Sequence, residues 1–201
     1  MKVDNLIYSS EWSIRVETFV RNLLKEKLPA FRSFHNSNHT WQVVRKCMEM
    51  CSFYKLNPNL TASVIAAAWF HDTGYCNGNQ NHEEESVKIA SAFLKENNIE
   101  DSIVADVTRL IQVTKLSVKP STLDEMIIRD ADMYHLGSDD YLKWANLLKK
   151  EKESEWKTVI SDSEWRKENI HFFKQHHYFT TYATEHWNEQ KSQNLQQLLM
   201  E

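Results

Sequence analysis

An imidazole and a carboxylate stand side by side at the end of an apolar run. His71 and Asp72 follow residues 62–70, all of which are small or apolar. A charged carboxylate buried there without a partner would be costly, so packing alone does not explain the pair. Imidazole nitrogen and carboxylate oxygen are, however, common ligands of divalent metal ions. The pair therefore predicts two ligands of one ion.

Two other segments carry further donors beside apolar residues. His39 lies upstream, and Asp132 lies downstream in a segment that also contains Asp130. Residues two apart on a helix point in different directions, so only one of the two aspartates is expected to face a common site. His135, three residues after Asp132, could share its face. Three separate segments thus offer nitrogen or oxygen donors.

A shell of two imidazoles and two carboxylates favours particular metals. It suits Mn, Fe, Co, Ni or Zn, whereas Mg prefers more oxygen ligands. Four side chains leave open positions on a six-coordinate ion, where water and a substrate oxygen can bind. Such an ion lowers the pKa of its water and polarises a phosphoryl group. The set therefore indicates metal-assisted hydrolysis.

Each donor also has an explanation that needs no metal. His71 could be a hydrogen-bonded core residue, and His39 could lie at the surface. Asp132 could cap a helix or pair with Arg129. Because four such residues occur together, we favour the metal site.

Helices are the elements that must position these residues. The chain of 201 residues contains only three glycines and three prolines, a scarcity typical of long helices. Apolar residues recur at helical spacing in segments 16–24, 41–51, 87–94, 103–113, 141–148 and 170–173. The helix before His71 is expected to be buried on every side, and Thr61 is its expected N-cap. The last helix is polar.

The predicted architecture is all-α, with a single compact helical domain over residues 1–201. The residues with candidate chemistry lie in a core of about residues 30–140, and helices within 141–201 are expected to pack on it. The sequence has no internal repeat and no linker long enough to separate two domains.

Composition argues against several classes of partner. The net charge is −4 and no basic stripe occurs, so we expect no nucleic-acid polymer and no membrane as partner. No apolar stretch is as long as a membrane span, and the N-terminus lacks the apolar core of a signal peptide. We therefore expect a cytoplasmic protein. Its three cysteines lack the spacing of a zinc finger.

The donor pattern resembles a known family. His39, the doublet His71-Asp72 and Asp132 are similar to the pattern of the HD-domain superfamily of metal-dependent phosphohydrolases, in particular its small bacterial members. The resemblance covers about residues 30 to 140 and implies a helical core. It implies that His39, His71, Asp72 and Asp132 bind a divalent metal ion (Mn, Fe, Co, Ni, Zn or Mg). Asp132 is preferred to Asp130 because the family's last aspartate follows a small residue, here Ala131.

A shorter likeness concerns residues 34–39, Phe-His-Asn-Ser-Asn-His. The segment resembles the Tyr-His-Asn-x-x-His segment of cyclic-nucleotide phosphodiesterases, although Phe34 departs from the tyrosine. It implies that His35 is the general acid and His39 a metal ligand. Residues four apart share a helix face, so both imidazoles can reach one cavity. His35 could instead bind the metal or lie exposed at the helix start.

Four further residues are candidates for the same site. His82 and Glu83 could hold a second ion or support the first, although Glu83 also fits an acidic helix start. Lys115 follows a threonine, as in small bacterial HD hydrolases, and could contact substrate oxygens. Arg129 could do the same, and a surface salt bridge is the alternative for both. The His-Asp-x-x-Glu-Asp variant of guanosine-polyphosphate hydrolases is absent, because Tyr75 and Cys76 occupy its acidic positions.

The resemblance implies hydrolysis of a phosphate ester in a nucleotide or a related small molecule. His35, Asp72 and Lys115 are the expected catalytic residues, and a small phosphorylated substrate is the expected partner. Two other functions stay open. One is a helical module that binds a nucleotide or metal without turnover, and the other is a di-iron oxygenase. The sequence does not indicate the substrate or the oligomeric state.

Overall fold

The structure is a computed structural model that describes residues 11–78 and 81–200. In these residues it has nine α-helices, two short 3-10 helices and no β-strand, so the predicted all-α fold is confirmed. The α-helices are α1 (Glu11–Lys27), α2 (Ser37–Phe53), α3 (Pro58–Phe70), α4 (His82–Glu96), α5 (Asp101–Val113), α6 (Leu123–Asp132), α7 (Tyr141–Trp156), α8 (Asp162–Gln175) and α9 (Thr181–Met200). The 3-10 helices are Thr73–Cys76 and Tyr134–Gly137.

The central element is α3. Its residues from Ser63 to Phe70 are all buried, and the helix packs against α1, α2, α4, α5 and α6. The surrounding helices turn their apolar faces towards it, as their periodicity predicts. A helix that is apolar on all sides is stable only in the centre of such an arrangement. The residues at its C-terminal end are therefore held inside the molecule.

The start of α3 differs from the prediction. Asn57, not Thr61, is the N-cap, and its side chain accepts a hydrogen bond from Leu60 N. Pro58 occupies the first turn, where it needs no hydrogen-bond donor of its own. Thr61 lies inside the helix because this Asn-Pro pair starts the helix earlier.

The chain after α3 is anchored by contact with α4. A side chain at Gly74 would overlap the backbone of His82, so only glycine permits this approach. Ser86 of α4 accepts a hydrogen bond from Gly74 N at 2.8 Å and donates one to His71 O at 2.6 Å. These contacts fix the backbone on both sides of Asp72.

The C-terminal helices pack on the core in a second layer. Tyr178, Ala183 and Trp187 belong to the main apolar core, and α9 packs against the 3-10 helix at residues 134–137. A separate, smaller apolar cluster joins this 3-10 helix, α7, α8 and α9 through Leu136, Tyr141, Ala145, Phe173 and Leu198. No helix in the described part of the chain has the length and apolarity needed to cross a membrane.

Candidate metal centre and adjoining cavity

His71 and Asp72 lie at the buried end of α3. His71 caps the helix and donates a hydrogen bond from Nδ1 to the carbonyl of Ala68 at 2.8 Å. Since Nδ1 carries the proton, the lone pair of Nε2 is available to a metal. His71 is 1% exposed and Asp72 is 5% exposed, so neither is free to reorient into solvent.

His39 reaches the same point from the first turn of α2. The N-cap Asn36 accepts hydrogen bonds from the backbone N–H groups of Asn38 and His39, so the helix starts at Ser37 and His39 lies in its first turn. His39 is buried, and its Nε2 lies 3.4 Å from His71 Nε2 and 3.4 Å from Asp72 Oδ2. The first turn of α2 thus places a second imidazole beside the C-terminal end of α3.

Asp132 completes the group from the last residue of α6. Its Oδ1 lies 3.1 Å from His39 Nε2 and 3.5 Å from His71 Nε2. Asp130 faces elsewhere, as expected for a residue two positions away. Its carboxylate accepts hydrogen bonds from the N–H groups of Phe179 and Thr180 and from the Thr180 hydroxyl, and so holds the start of α9.

The spacing of His39, His71 and Asp72 fits one metal ion, and Asp132 lies beside this group. Donors about 2.1 Å from an ion lie about 3.0 to 3.4 Å apart in octahedral or tetrahedral geometry. Neighbouring donor atoms here lie 3.1–3.5 Å apart. One ligand atom each from His39, His71 and Asp72 lie within 4.8 Å of one another. Asp72 Oδ2 is buried but accepts no hydrogen bond, which leaves a charged oxygen without the partner that a cation would provide.

The pKa shifts of the donor residues also favour a bound cation. Burial raises the pKa of Asp72, but the positive charge of the neighbouring imidazoles, above all His71, outweighs it and lowers this pKa. Burial lowers the pKa of His71, but the charge of Asp72 and the hydrogen bond of Asp132 raise it well above its ordinary value. Two ionised carboxylates among imidazoles therefore form a buried site that favours positive charge.

His35 stands beside the donor group without joining it. Its side chain is 21% exposed, and its Nδ1 lies 2.5 Å from Glu151 Oε1 of α7. Burial lowers the pKa of His35, but the hydrogen bond of Glu151 and the charge of Asp72 outweigh it, and the pKa rises. Because Glu151 engages Nδ1, the other ring nitrogen of His35 remains available for proton transfer.

Glu151 is a residue that sequence analysis missed. Its carboxylate is 2% exposed and also binds Phe34 N, His35 N and the guanidinium of Arg32. Burial raises its pKa, but the hydrogen bond and charge of His35 outweigh it and lower the pKa to about 2. Glu151 lies in the charged run 149–153, which has the composition of a solvated helix face, so no signal in the sequence identifies it.

A cavity of about 410 Å³ opens over the donors, and we call it the metal cavity. Its walls include both aspartates of the donor group and His35. They also include Tyr75, His82, Glu83, Lys115, Met133 and His135. Burial lowers the pKa of His135 to about 4, so this imidazole is a neutral part of the wall at physiological pH. The size lies within the range of about 300 to 1,000 Å³ that ligand pockets occupy.

The remaining candidates occupy the rim of this cavity. His82 Nε2 lies 3.8 Å from Asp72 Oδ1, and the His82 ring stacks on Tyr75 with centroids 4.1 Å apart. Glu83 Oε2 lies 3.5 Å from His82 Nδ1. Lys115 pairs with Glu84 at 2.6 Å on the surface.

Arg129 has a role that the sequence does not suggest. Within the described residues it forms no salt bridge with Asp132 or with any other carboxylate. Its guanidinium donates to four backbone carbonyls at the end of α5, those of residues 113–116. These carbonyls lack partners inside the helix, so Arg129 serves as their cap.

Comparison with known proteins gives one family and two similar folds. The sequence model of the HD domain matches residues 36–137, about half of the chain. A predicted HD superfamily hydrolase from an uncultured Thermotogales bacterium has a TM-score of 0.59 and 20% identity, with 87% of this chain and 97% of that one covered. A protein from Lactobacillus plantarum has a TM-score of 0.71 and 14% identity, with 95% of each chain covered. No curated protein matches the sequence. At these identities the two structures show a shared fold.

Proposed function

Since the chain belongs to the HD domain family, we propose that it is a metal-dependent phosphohydrolase. Its proposed substrate is a phosphate ester of a nucleotide or a related small molecule. The observation that carries the proposal is the convergence of four donors from α2, α3 and α6 beneath one cavity, with the imidazole of His35 in its wall.

His39, His71, Asp72 and Asp132 would hold the ion. The donor set, two nitrogens and two oxygens, suits Mn, Fe, Co, Ni or Zn better than Mg. When bound, the ion supplies a positive charge that makes water more acidic and polarises a phosphoryl group. Its charge would also relieve the repulsion between the two carboxylates.

His35 is the proposed general acid. Glu151 holds the proton on Nδ1 and favours the charged imidazolium, so the other ring nitrogen carries a proton into the metal cavity. That proton would pass to the oxygen that leaves with the organic part of the substrate. Such a transfer typically accelerates a reaction by about 10²- to 10⁴-fold.

Other residues of the cavity have lesser proposed roles. Asp72 Oδ1, the oxygen that faces His82, would orient the attacking water. Lys115 would leave Glu84 and offer its ammonium group to a substrate oxygen, as a point charge at the rim. His82 and Glu83 would support Asp72, with a single ion in the site.

A phosphate-release screen tests this proposal. Metal-depleted protein would receive Mn, Co, Ni, Mg or Zn and be incubated with nucleoside mono- and diphosphates and cyclic nucleotides. We expect release that depends on the metal and returns when the metal is restored. Bound nucleotide or metal without release would instead identify a binding module. Two irons per chain together with oxygen consumption would identify an oxygenase.

Replacing His35 separates its role from that of the metal ligands. His35→Ala should reduce kcat by about 10²- to 10⁴-fold while metal content stays at the wild-type level. His39→Ala, the matched change four residues later in the chain, should reduce both kcat and metal content. Loss of metal in His35→Ala would make His35 a ligand and refute its role as an acid.

A further inference from the structure

A gap separates α7 from α8 beside the metal cavity. The gap holds a cavity of about 310 Å³, which we call the side cavity, and Tyr141, Leu148, Trp165 and Phe172 are among its walls. The hydroxyl of Tyr141 donates to Asn169 Oδ1 at 2.7 Å across the gap. The helices are therefore bridged here, while space for a ligand remains between them.

The side cavity adjoins the metal cavity through a shared wall. Met133 and His135 line both cavities. Met133 follows Asp132 directly and His135 lies three residues after it, so the wall begins next to a proposed metal ligand. A molecule whose phosphate lies over the donors would have its organic part within reach of this wall.

The lining of the side cavity favours an uncharged planar group. Its surface is largely apolar and includes three aromatic side chains, Tyr141, Trp165 and Phe172. Among its lining residues Lys152 and Glu168 can pair with each other, with 3.7 Å between Nζ and Oε2. Asn169 already accepts from Tyr141 and donates to Trp165 O. Lys152 Nζ also lies over the Trp165 ring, 5.0 Å from its centroid. The walls thus offer apolar and aromatic surface, and the one lysine and one glutamate among them can neutralise each other.

We propose that the side cavity is the subsite for a planar heteroaromatic ring, such as a nucleobase, in the substrate. This inference rests on the proposed function, because it assigns the phosphate to the metal cavity. It also gives α7 and α8, which lie outside the HD domain match, the role of selecting the substrate.

Two substitutions on α7 form a matched pair. Leu148 lines the side cavity and is half-buried, so Leu148→Trp should fill the space without disturbing the core. Leu142 lines a different cavity, of about 470 Å³, on the far side of the gap. Leu142→Trp therefore adds the same side chain to the same helix but leaves the side cavity open. Leu148→Phe serves as a smaller replacement if Leu148→Trp does not fold.

Binding of nucleosides to metal-depleted protein tests the subsite without catalysis. Adenosine, guanosine, cytidine and uridine would be titrated into each variant and followed by calorimetry or ligand-observed NMR. We expect at least one nucleoside to bind the wild type and Leu142→Trp equally well, and to bind Leu148→Trp about tenfold more weakly. Absence of binding to the wild type, or equal binding to Leu148→Trp, would overturn the proposal.

Hydrolysis supplies a second test. Leu148→Trp should lower kcat/KM for a nucleoside monophosphate by about tenfold and leave that for methyl phosphate unchanged. An equal loss for both substrates would count against the subsite. If nucleoside binding depends on residue 148 but no phosphate is released, the subsite stands and the proposed function fails. If phosphate is released but no nucleoside binds, the proposed function stands and the subsite fails.

Discussion

The core around α3 and the C-terminal layer of α7 and α8 differ in how tightly they pack. Val64, Ala67 and Phe70 of α3 are 0% exposed, and the helix is surrounded by five others. Between α7 and α8, in contrast, cavities of about 310 and 470 Å³ lie around a hydrogen-bonded bridge. Close-packed interiors hold side chains in fixed positions, whereas gaps accept ligands.

This difference in packing indicates that the two regions have separate functions. The four proposed metal ligands come from the core, where a displacement of a few tenths of an ångström would alter the distances between donors. The C-terminal layer contributes in two other ways. Glu151 of α7 holds His35 from outside the core, and the gap between α7 and α8 contains the proposed substrate subsite. Chemistry and selectivity are thus proposed for different parts of the chain.

The two aspartates of α6 give the largest expected effects, because each faces a different region. Asp132→Asn should abolish metal-dependent turnover, with a loss of about 10³-fold or more, and leave unfolding largely unchanged. Asp130→Asn should keep the metal, because it lies outside the donor group. It should instead lower the free energy of unfolding by about 2 to 4 kcal/mol, since a buried carboxylate that holds the start of α9 is lost.

Turnover and urea unfolding of both variants, measured together, check this contrast. If Asp132→Asn retained turnover and Asp130→Asn lost the metal, Asp130 rather than Asp132 would be the metal ligand.

A smaller effect is expected at Glu151, the C-terminal residue that supports the core site. Glu151→Gln should lower kcat by about 10- to 100-fold, because His35 loses the carboxylate that orients it. Glu151 raises the pKa of His35, so its removal lowers that pKa, and the alkaline limb of the pH–rate profile should move to lower pH. Metal content is the control and should not change.

An unmoved alkaline limb in Glu151→Gln would show that His35 is not the titrating acid. The pH dependence of stability in Glu151→Gln provides a second test. A carboxylate whose pKa falls from 4.5 to about 2 on folding stabilises the protein above pH 4.5 and loses that effect as the pH falls towards 2. The difference in unfolding free energy between wild type and Glu151→Gln, about 3 kcal/mol at neutral pH, should shrink over that interval.

The smallest effect is expected at the rim. Lys115 and Glu84 form an exposed pair, which contributes little to stability. Lys115→Met should raise KM by about two- to fivefold and leave Tm unchanged. Glu84→Gln, which frees the ammonium group, should not raise KM. A large fall in kcat for Lys115→Met would mean that Lys115 contacts the reacting phosphoryl group.

The sequence predicts the part of the site that depends on local patterns. The burial of α3 follows from its composition. The sequence also singles out His39, His71, Asp72 and Asp132, whose donor atoms lie 3.1–3.5 Å from their neighbours, and their binding of a metal stays a prediction. The opposite directions of Asp130 and Asp132 follow from helix geometry. For α3 and for the two aspartates of α6 one helix carries the information, whereas the full ligand set follows from the family resemblance.

The parts that depend on distant contacts could not be predicted. Glu151 contacts His35, which lies 116 positions away in the sequence. Its neighbours in sequence are charged, so the segment has the composition of a solvent-exposed helix face. For Arg129 the sequence left open a substrate contact or a surface salt bridge, but its donors bind the carbonyls at the end of α5. The expected N-cap Thr61 was wrong because an Asn-Pro pair begins α3 four residues earlier. The gap between α7 and α8 has no counterpart in local periodicity.

Calorimetric titration of Mn²⁺ into metal-depleted protein tests the central claim most directly. The account predicts one ion per chain in the wild type and in Asp130→Asn, and loss of that binding in Asp72→Ala and Asp132→Asn. Folding of each variant would be verified by circular dichroism. Undiminished binding in folded Asp72→Ala and Asp132→Asn, or no binding to the wild type, would contradict it.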